Sequence, residues 1–445
     1  MSEISTELIK EAVYKLCFEA NTCLNESVYS KILEAYKNSN DKVLKTILQN
    51  AKVAYETKKP LCQDTGQVIV FVELGQSVRL VGELLETAIN TAVEKCYIEN
   101  YFRKSVVENA VFNRNNTKTN VPVILYTKVV TGDDVKISVL IKGAGSENKS
   151  KLEMLLPTSS EEEIIESCGN LILSAGENAC PPMFIGIGIG GTADRACVLS
   201  KEVLISNDFT DKENELALKI KEYVNLKVRN NYVLDVKLKS IATHIACMPV
   251  AITINCHSER TSKCIIIDGE IKYEHQVPYF INFEDSENLK EIYTNEIDCI
   301  KALKQGDEVL LTGEIYVARD MAHKRMMETM PIKVKDKIIF YAGPCPNKPN
   351  EIIGSIGPTT ASRMDKYAKK LYKMGLLATI GKGSRSSEVE TVIKECGAKY
   401  FTVVGGVAAL LSDKVKKSEI IAYEDLGAEA LYKIYVEKLP VKVAI

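Results

Sequence analysis

The 445-residue chain has no tryptophan, and none of its 13 cysteines stands in a C-x-x-C spacing. The missing spacing excludes a zinc ribbon, a bacterial-ferredoxin run and a thioredoxin motif together. A metal held by these thiols must therefore draw its ligands from distant segments. Basic excess is absent as well: 57 Lys and Arg stand against 59 Asp and Glu, a net charge of −2. Such a surface has no reserve of positive charge for a nucleic-acid backbone or an anionic membrane. No run approaches the roughly 18 apolar residues of a membrane-spanning helix. The N-terminal residues alternate charge with apolar side chains where a signal peptide would carry its apolar core. An odd number of cysteines cannot pair fully within one chain. These absences predict a cytoplasmic protein with reduced thiols that binds neither nucleic acid nor membrane.

What is present is ordinary in bulk. Hydrophobic residues make up 46% and charged residues 26%, as in a soluble globular protein, and the length predicts two or three domains. Residues 1–58 read as helices: Leu8, Val13 and Leu16 keep a helical period, and Ser27 and Asp41 are N-cap candidates. The turn-like Pro60–Gly66 precedes a β-rich Val68–Val72, and 79–102 returns to a helical pattern. Val123–Val130 and Val135–Ile141 flank Thr131-Gly132-Asp133-Asp134, the pattern of a β-hairpin. Ser159 or Ser160, followed by three glutamates, opens a helix. Residues 249–256 read as a strand, and Asp268-Gly269 marks a tight hairpin. The more polar 276–295 reads as a linker. Beyond it come β then α segments at Glu308–Thr312, Lys337–Tyr341, 363–375, Leu377–Ile380 and Tyr400–Val404. The expected fold class is α/β (α+β), with a larger domain over 1–275 and a smaller one over 296–445.

Most of the cysteines, Cys17, Cys96 and Cys168 among them, lie in helical apolar stretches, where a free thiol is a small buried hydrophobe. Three depart from that setting. Cys62 follows Pro60-Leu61 and precedes Gln63-Asp64-Thr65-Gly66. Cys180 sits in Gly176-Glu177-Asn178-Ala179-Cys180-Pro181-Pro182, which cannot continue a helix. Cys256 ends a strand before His257-Ser258-Glu259-Arg260. Loops beside a thiol supply N–H donors, the kind of bond that tunes an iron–sulfur cluster.

A glycine run from Gly186 to Gly191 contains a formal G-x-G-x-x-G at Gly186, Gly188 and Gly191, with Asp208 20 residues beyond Gly188. That makes a nicotinamide-dependent oxidoreductase an alternative. The segment upstream reads as helix, however, so a glycine-rich loop that lets substrate or cluster approach the backbone is the expectation. The smaller domain carries three basic or hydroxylic clusters: Arg319–Arg325, Gly354–Met364 and Gly381–Arg385. The second joins a turn to a helix start, which favours an anion. Together they point to a small polyanionic ligand, since carboxylates match Arg bidentately and Lys as a point charge.

The motifs PLCQDTG, KGAGSEN, ENACPPMFIGIGIGGTAD and THIACMPVAITINCHSER resemble the larger part of a class I, iron–sulfur fumarate hydratase. YVARDMAHKRM, AGPCP, GSIGPTTASRMD and IGKGSRS resemble its smaller part. The same two-part family includes L-tartrate dehydratase, and in some members the parts are separate subunits; here they are fused. The resemblance implies a 4Fe–4S cluster on Cys62, Cys180 and Cys256, with one iron left open as a Lewis acid. It implies a site lined by Gln63, Asp64, Arg103, Gly143 and His244 from the larger part. Arg319, Thr359, Arg363 and Lys382 would complete it from the smaller part, whose fold is implied to be a swivelling β/β/α domain.

The implied roles are Thr359 as base for a C–H proton, Asp64 as its helper or an alternative base, and His244 as proton carrier. Arg319, Arg363 and Lys382 would clamp carboxylates and stabilise developing enolate-like charge. The implied activity is reversible hydration of fumarate to L-malate, a tricarboxylic acid cycle reaction, by an oxygen-sensitive homodimer whose partner molecule is a small dicarboxylate. L-tartrate dehydratase and mesaconate hydratase are the nearest alternatives. Cluster and clamp on separate domains would place the site in their interface.

Overall fold

The computed structural model describes residues 2–176, 179–283 and 289–445. Glu177 and Asn178 of the Cys180 segment, and 284–288 of the expected linker, lie outside the described residues. Contacts divide the chain into two units, each assembled from separated segments. The first takes the residues up to Leu44, Asp64–Asn100 and Lys104–Tyr279; the second takes Lys45–Gln63, Tyr101–Arg103 and Phe280–Ile445.

The first unit begins with β1 (Ser2–Ser5), α1 (Thr6–Thr22) and α2 (Glu26–Ser39). α1 buries Ile9, Val13, Leu16 and Cys17, while Leu8 is only partly covered. The cap of α2 is Asn25, whose side chain accepts the Ser27 N–H, so Ser27 already lies inside the helix. Asp41 does precede α3 (Lys42–Thr57), accepting the Val43 N–H at 2.6 Å. Then follow β2 (Gln67–Gly75), β3 (Val78–Val81), α4 (Leu85–Glu99), β4 (Ile124–Val130), β5 (Val135–Lys142) and the short α5 (Ala144–Glu147). β6 (Lys151–Leu155), α6 (Glu161–Leu173), β7 (Met183–Gly191), α7 (Ala193–Ile205) and α8 (Asp211–Lys227) come next. The unit's last strands are β8 (Val233–Thr243), β9 (Met248–Asn255), β10 (Thr261–Ile267) and β11 (Glu270–Tyr273). Ser160 starts α6 with a reciprocal capping box to Glu163, as the acidic run predicts.

β1 pairs with β3, and the other strands form a five-stranded sheet in the order β11-β10-β5-β2-β4 and a four-stranded sheet in the order β6-β9-β7-β8. The Asp268-Gly269 hairpin joins β10 to β11, both turn residues having positive φ. The other expected hairpin does not form. β4 and β5 both pair with β2, which lies between them, so Thr131–Asp134 spans a strand instead of turning back on its neighbour. Local turn chemistry carries no information about a strand inserted from elsewhere in the chain.

Helix α7 lies between the two sheets. Leu204 packs against Ile69, Phe71 and Leu140 of the five-stranded sheet, and the helix's other side rests on β7 and β9. The glycine run is therefore not a loop. It is strand β7, and a Cβ on Gly186 would come within 2.1 Å of the Ser200 carbonyl oxygen, one on Gly188 within 2.5 Å of the Ala196 carbonyl oxygen. Both α-carbons are spent on close helix–sheet packing, which leaves them no phosphate to cradle.

The second unit contains α3 from Lys45 onward, then β12 (Lys290–Tyr293), α9 (Ile297–Ala302), β13 (Glu308–Val317), α10 (Asp320–Glu328) and β14 (Ile338–Phe340). A short 3-10 turn (Ala361–Met364) leads into α11 (Asp365–Lys373), followed by β15 (Ala378–Gly381), α12 (Ser387–Glu395) and β16 (Lys399–Thr402). α13 (Ala408–Asp413), β17 (Val415–Ala422) and β18 (Leu431–Val443) end it. The sheet order is β12-β13-β14-β15-β16-β18-β17, parallel through β16, and β13 also pairs with β18. That extra pairing closes β13, β14, β15, β16 and β18 into a ring without free inner edges. Met326, Tyr341, Met364, Leu371, Tyr372 and Ile393 form much of the core beneath α10 to α12.

The segment before Asp64 is anchored in this second unit, although it was expected to serve the first. Ser355 Oγ donates to the Pro60 carbonyl at 2.8 Å, and the Ala408 N–H to that of Leu61 at 3.1 Å. Asn50 donates to the Leu61 carbonyl and accepts the Leu410 N–H. Cys62, Gln63 and Arg103 thus pack with the C-terminal residues.

Candidate active site

In the first unit, Asp64 is fixed by main-chain donors. Its two carboxylate oxygens accept the Gly66 N–H at 3.2 Å and the Ala144 N–H at 2.9 Å. Arg260, 3% exposed, donates from Nη1 to the Asp64 carbonyl at 2.5 Å. Gly143 lies against both: a Cβ there would stand 3.0 Å from Arg260 Nη2 and 3.2 Å from Asp64 Oδ2. The expected Asp64 and Gly143 are therefore neighbours, and Arg260 joins them.

Cys180 has a positive φ of 58° and Cys256 follows the last residue of β9; both are partly exposed. The His257 N–H donates to the Cys180 carbonyl at 3.5 Å, so the two cysteine-bearing loops meet. His244 does not join them. It stands exposed in the β8–β9 turn, its Nδ1 accepting the Ala246 N–H at 3.1 Å. Cys256 lies at the opposite end of the eight-residue β9, about 25 Å along the strand.

The second unit gathers most of the expected clamp. Arg363 donates to both oxygens of Asp320, Nε at 3.0 Å and Nη2 at 2.6 Å, and from Nη1 to Thr359 Oγ1 at 3.2 Å. Arg319 pairs with Glu429 at 3.2 Å and Asp320 at 3.5 Å. Burial first, then the like charge of Arg103 and of Arg363, pushes the Arg319 guanidinium below its ordinary pKa, opposed by Glu429 and Asp320. Lys382 is tied to Thr359 through the main chain, its N–H donating to the Thr359 carbonyl and its carbonyl accepting the Ala361 N–H. Gln63 donates from Nε2 to the Pro358 carbonyl at 3.3 Å, and its Oε1 occupies the space that a Gly357 side chain would fill. Cys62 Sγ lies 3.5 Å from Gln63 Oε1.

Beneath Arg319, His323 is fully buried, its N–H and its Nδ1 both 2.9 Å from the Arg319 carbonyl. Burial pulls its pKa down to about 4, so the ring is neutral and Nδ1 carries the donating proton.

The 13 cysteines are all in the reduced form. Burial pushes the thiols of Cys168 and Cys264 up to about 12, and those of Cys17 and Cys96 higher than usual too, the chemistry of inert buried side chains. Among the described residues, no group of three or more His, Cys, Asp or Glu side chains is gathered as for a single metal ion. Sequence reading missed Asp320, Glu429 and Arg260. Asp320 lies inside a charge-dense run, where an acid looks like a solvated counter-ion, although its position between two arginines was the available signal.

The chain matches the family described as fumarate hydratase (Fumerase) over residues 10–265 and that described as the fumarase C-terminus over 270–445. It is 30% identical to an aerobic class I fumarate hydratase of Escherichia coli strain K12, covering 100% of this chain and 88% of that protein. It is 29% identical to a mitochondrial fumarate hydratase 1 of Leishmania major, over 92% of this chain and 82% of the relative. A Methanocaldococcus jannaschii protein provisionally named an L(+)-tartrate dehydratase alpha subunit is 35% identical over 59% of this chain and 99% of its own length. With both family regions in the expected order along one polypeptide, the chain belongs to the class I fumarate hydratase family.

Proposed function

We propose that this protein is a hydro-lyase that hydrates fumarate reversibly to L-malate, using a 4Fe–4S cluster held by Cys62, Cys180 and Cys256. The donor set suits such a group: three thiols outside the helices, two of them on loops that meet. When bound, the cluster supplies Lewis acidity through its open iron. The observation that carries the reading is Arg363, which pairs with Asp320 and donates to the Thr359 hydroxyl at once.

Dehydration of malate takes a weakly acidic C–H proton from one carbon and the hydroxyl from the next. A Thr hydroxyl is a poor base unless a neighbouring cation stabilises its anion, and the Arg363 guanidinium stands in that place. Arg319, crowded by the like charges of Arg103 and Arg363, gains from a dicarboxylate that relieves the repulsion. Arg363 is exposed, so its free edge is open to a carboxylate. Asp64, locked by the Gly66 and Ala144 N–H groups, is the helper base. His244 is assigned no step. The protein works as an oxygen-sensitive homodimer in a reducing compartment, with 1–275 and 296–445, joined by 276–295, as its cluster-binding and swivelling clamp parts.

Tartrate is the second reading, favoured by the identity to the Methanocaldococcus jannaschii protein. An anaerobic assay of iron-reconstituted protein on fumarate, mesaconate and tartrate, side by side, decides among them. Fastest turnover on fumarate, lost in air and restored by iron and reductant, is the expected result. Full activity of iron-free, air-exposed protein overturns it.

A further inference from the structure

The least expected group in the first unit is Lys142, a lysine that is 3% exposed at the end of β5. Its Nζ donates to the Ile254 carbonyl and, at 2.6 Å, to Asn255 Oδ1, both at the end of β9. Glu147 Oε2 faces it at 3.7 Å, and the other oxygen of Glu147 pairs with Lys201 of α7 at 2.5 Å. β5 belongs to the five-stranded sheet and β9 to the four-stranded one, so one side chain bridges the two sheets at their ends. The residue after Lys142 is Gly143, against Asp64; the residue after Asn255 is Cys256.

We propose that Lys142 is a positioning residue whose buried ammonium ties the strand end carrying Cys256 to the turn carrying Gly143, and so sets where the Cys256 thiolate stands. This rests on the cluster reading above. A lysine serving only as packing would sit where its stem is covered and its amine reaches water. Lys142 instead spends its amine on two acceptors immediately before one cysteine. Burial pulls its pKa down to about 7, against the attraction of Glu147, so the cation is held at a cost that only specific acceptors offset. Glu147 in turn is drawn below its ordinary value by Lys142 and Lys201, although burial pushes the other way. Support of a metal ligand by the shell behind it is the kind of contact whose loss weakens metal binding without removing a ligand.

The test compares the full-length, iron-reconstituted protein with Lys142→Met and Lys142→Gln under anaerobic conditions. Two signals are read: loss of visible absorbance after adding an iron chelator, and the electron paramagnetic resonance spectrum. In the same chains before iron loading, alkylation of Cys256 by iodoacetamide is measured by peptide mass spectrometry, with Cys17 as reference. Lys142→Met should release iron about tenfold faster, shift the resonance spectrum and expose Cys256 to alkylation. Lys142→Gln, whose amide keeps a donor one bond short of the same acceptors, should fall between Lys142→Met and the unsubstituted protein. Unchanged release and alkylation in Lys142→Met overturn the proposal, as does a Lys142→Gln variant as leaky as Lys142→Met. If Lys142→Met fails to fold by circular dichroism, Lys142→Gln decides alone: faster release and alkylation than in the unsubstituted protein support the proposal, and unchanged values overturn it. If the unsubstituted protein takes up no iron, the cluster reading fails, while the alkylation comparison still judges Lys142.

Discussion

The two units hold their candidate site residues by different means. In the second, side-chain charges hold one another: Asp320 pins Arg363, Glu429 and Asp320 flank Arg319, and Thr359 is addressed by a guanidinium. In the first, the main chain does most of the work. Asp64 is fixed by two N–H groups, Cys180 stands in a left-handed backbone conformation, and Lys142 donates to the Ile254 main-chain carbonyl as well as to the Asn255 side chain. A charge network can respond when a dianion arrives, because its members can exchange partners. A main-chain cradle cannot, and suits a permanent occupant. The difference matches the proposed division between substrate clamp and cluster support.

The largest expected effect tests the cradle. Cys180→Ser should abolish the broad visible absorbance and all turnover of reconstituted protein, whereas Cys17→Ser and Cys396→Ser should leave both intact. Equal behaviour of all three would sink the assignment of Cys62, Cys180 and Cys256 as the ligand set. The clamp is tested next by Arg363→Lys, which keeps the charge but loses the fork that reaches Asp320 and Thr359 together. Steady-state kinetics should show kcat/KM lower by about 100-fold; a change confined to KM would mean that Arg363 binds substrate without assisting Thr359.

Two smaller effects concern the supports. Gly186→Ala should lower the unfolding free energy by about 1–3 kcal/mol in urea, because its methyl group meets the Ser200 carbonyl and forces α7 outward. An unchanged midpoint would show that the sheet and helix can separate at no cost. His323 gives a pH signature: unfolded, it binds a proton near pH 6.5, but folded only near about 4. The unfolded chain therefore carries the extra proton between these values, and stability falls as pH drops through the window, by up to about 1.4 kcal/mol per pH unit. His323→Asn should flatten that part of the urea-midpoint profile, and a profile with the same slope would refute the buried neutral ring.

Elements marked by local chemistry were legible in the sequence. The Ser160 capping box, the Asp268-Gly269 turn and helices α1 and α3 form where the signals place them, while α2 starts at its Asn25 cap, two residues before the expected Ser27. What escaped was non-local. Nothing around Thr131–Asp134 announces that β2 enters between β4 and β5, and nothing in Pro60–Gln63 announces Ser355 and Ala408 as its anchors. The glycine run was visible, but its use was not, since a glycine needed for a phosphate and one needed for a helix look alike in sequence. Thr359, Arg363 and Lys382 were singled out by their motifs as expected site residues. Their counter-ions were not, because an acid in a charged run ordinarily faces water. His244 was expected to line the site as a proton carrier; it stands in the β8–β9 turn, at the opposite end of β9 from Cys256.

The glycines of β7 also act as a gauge block. With no side chain on the strand at Gly186 and Gly188, the main chain of β7 meets the Ser200 and Ala196 carbonyls of α7 directly, and such a close-packed contact has little room to give. Lys201 rides on that helix and grips Glu147, which faces Lys142. A methyl group added on the strand would thus be felt as a misalignment several residues away, at an amine that never touches it.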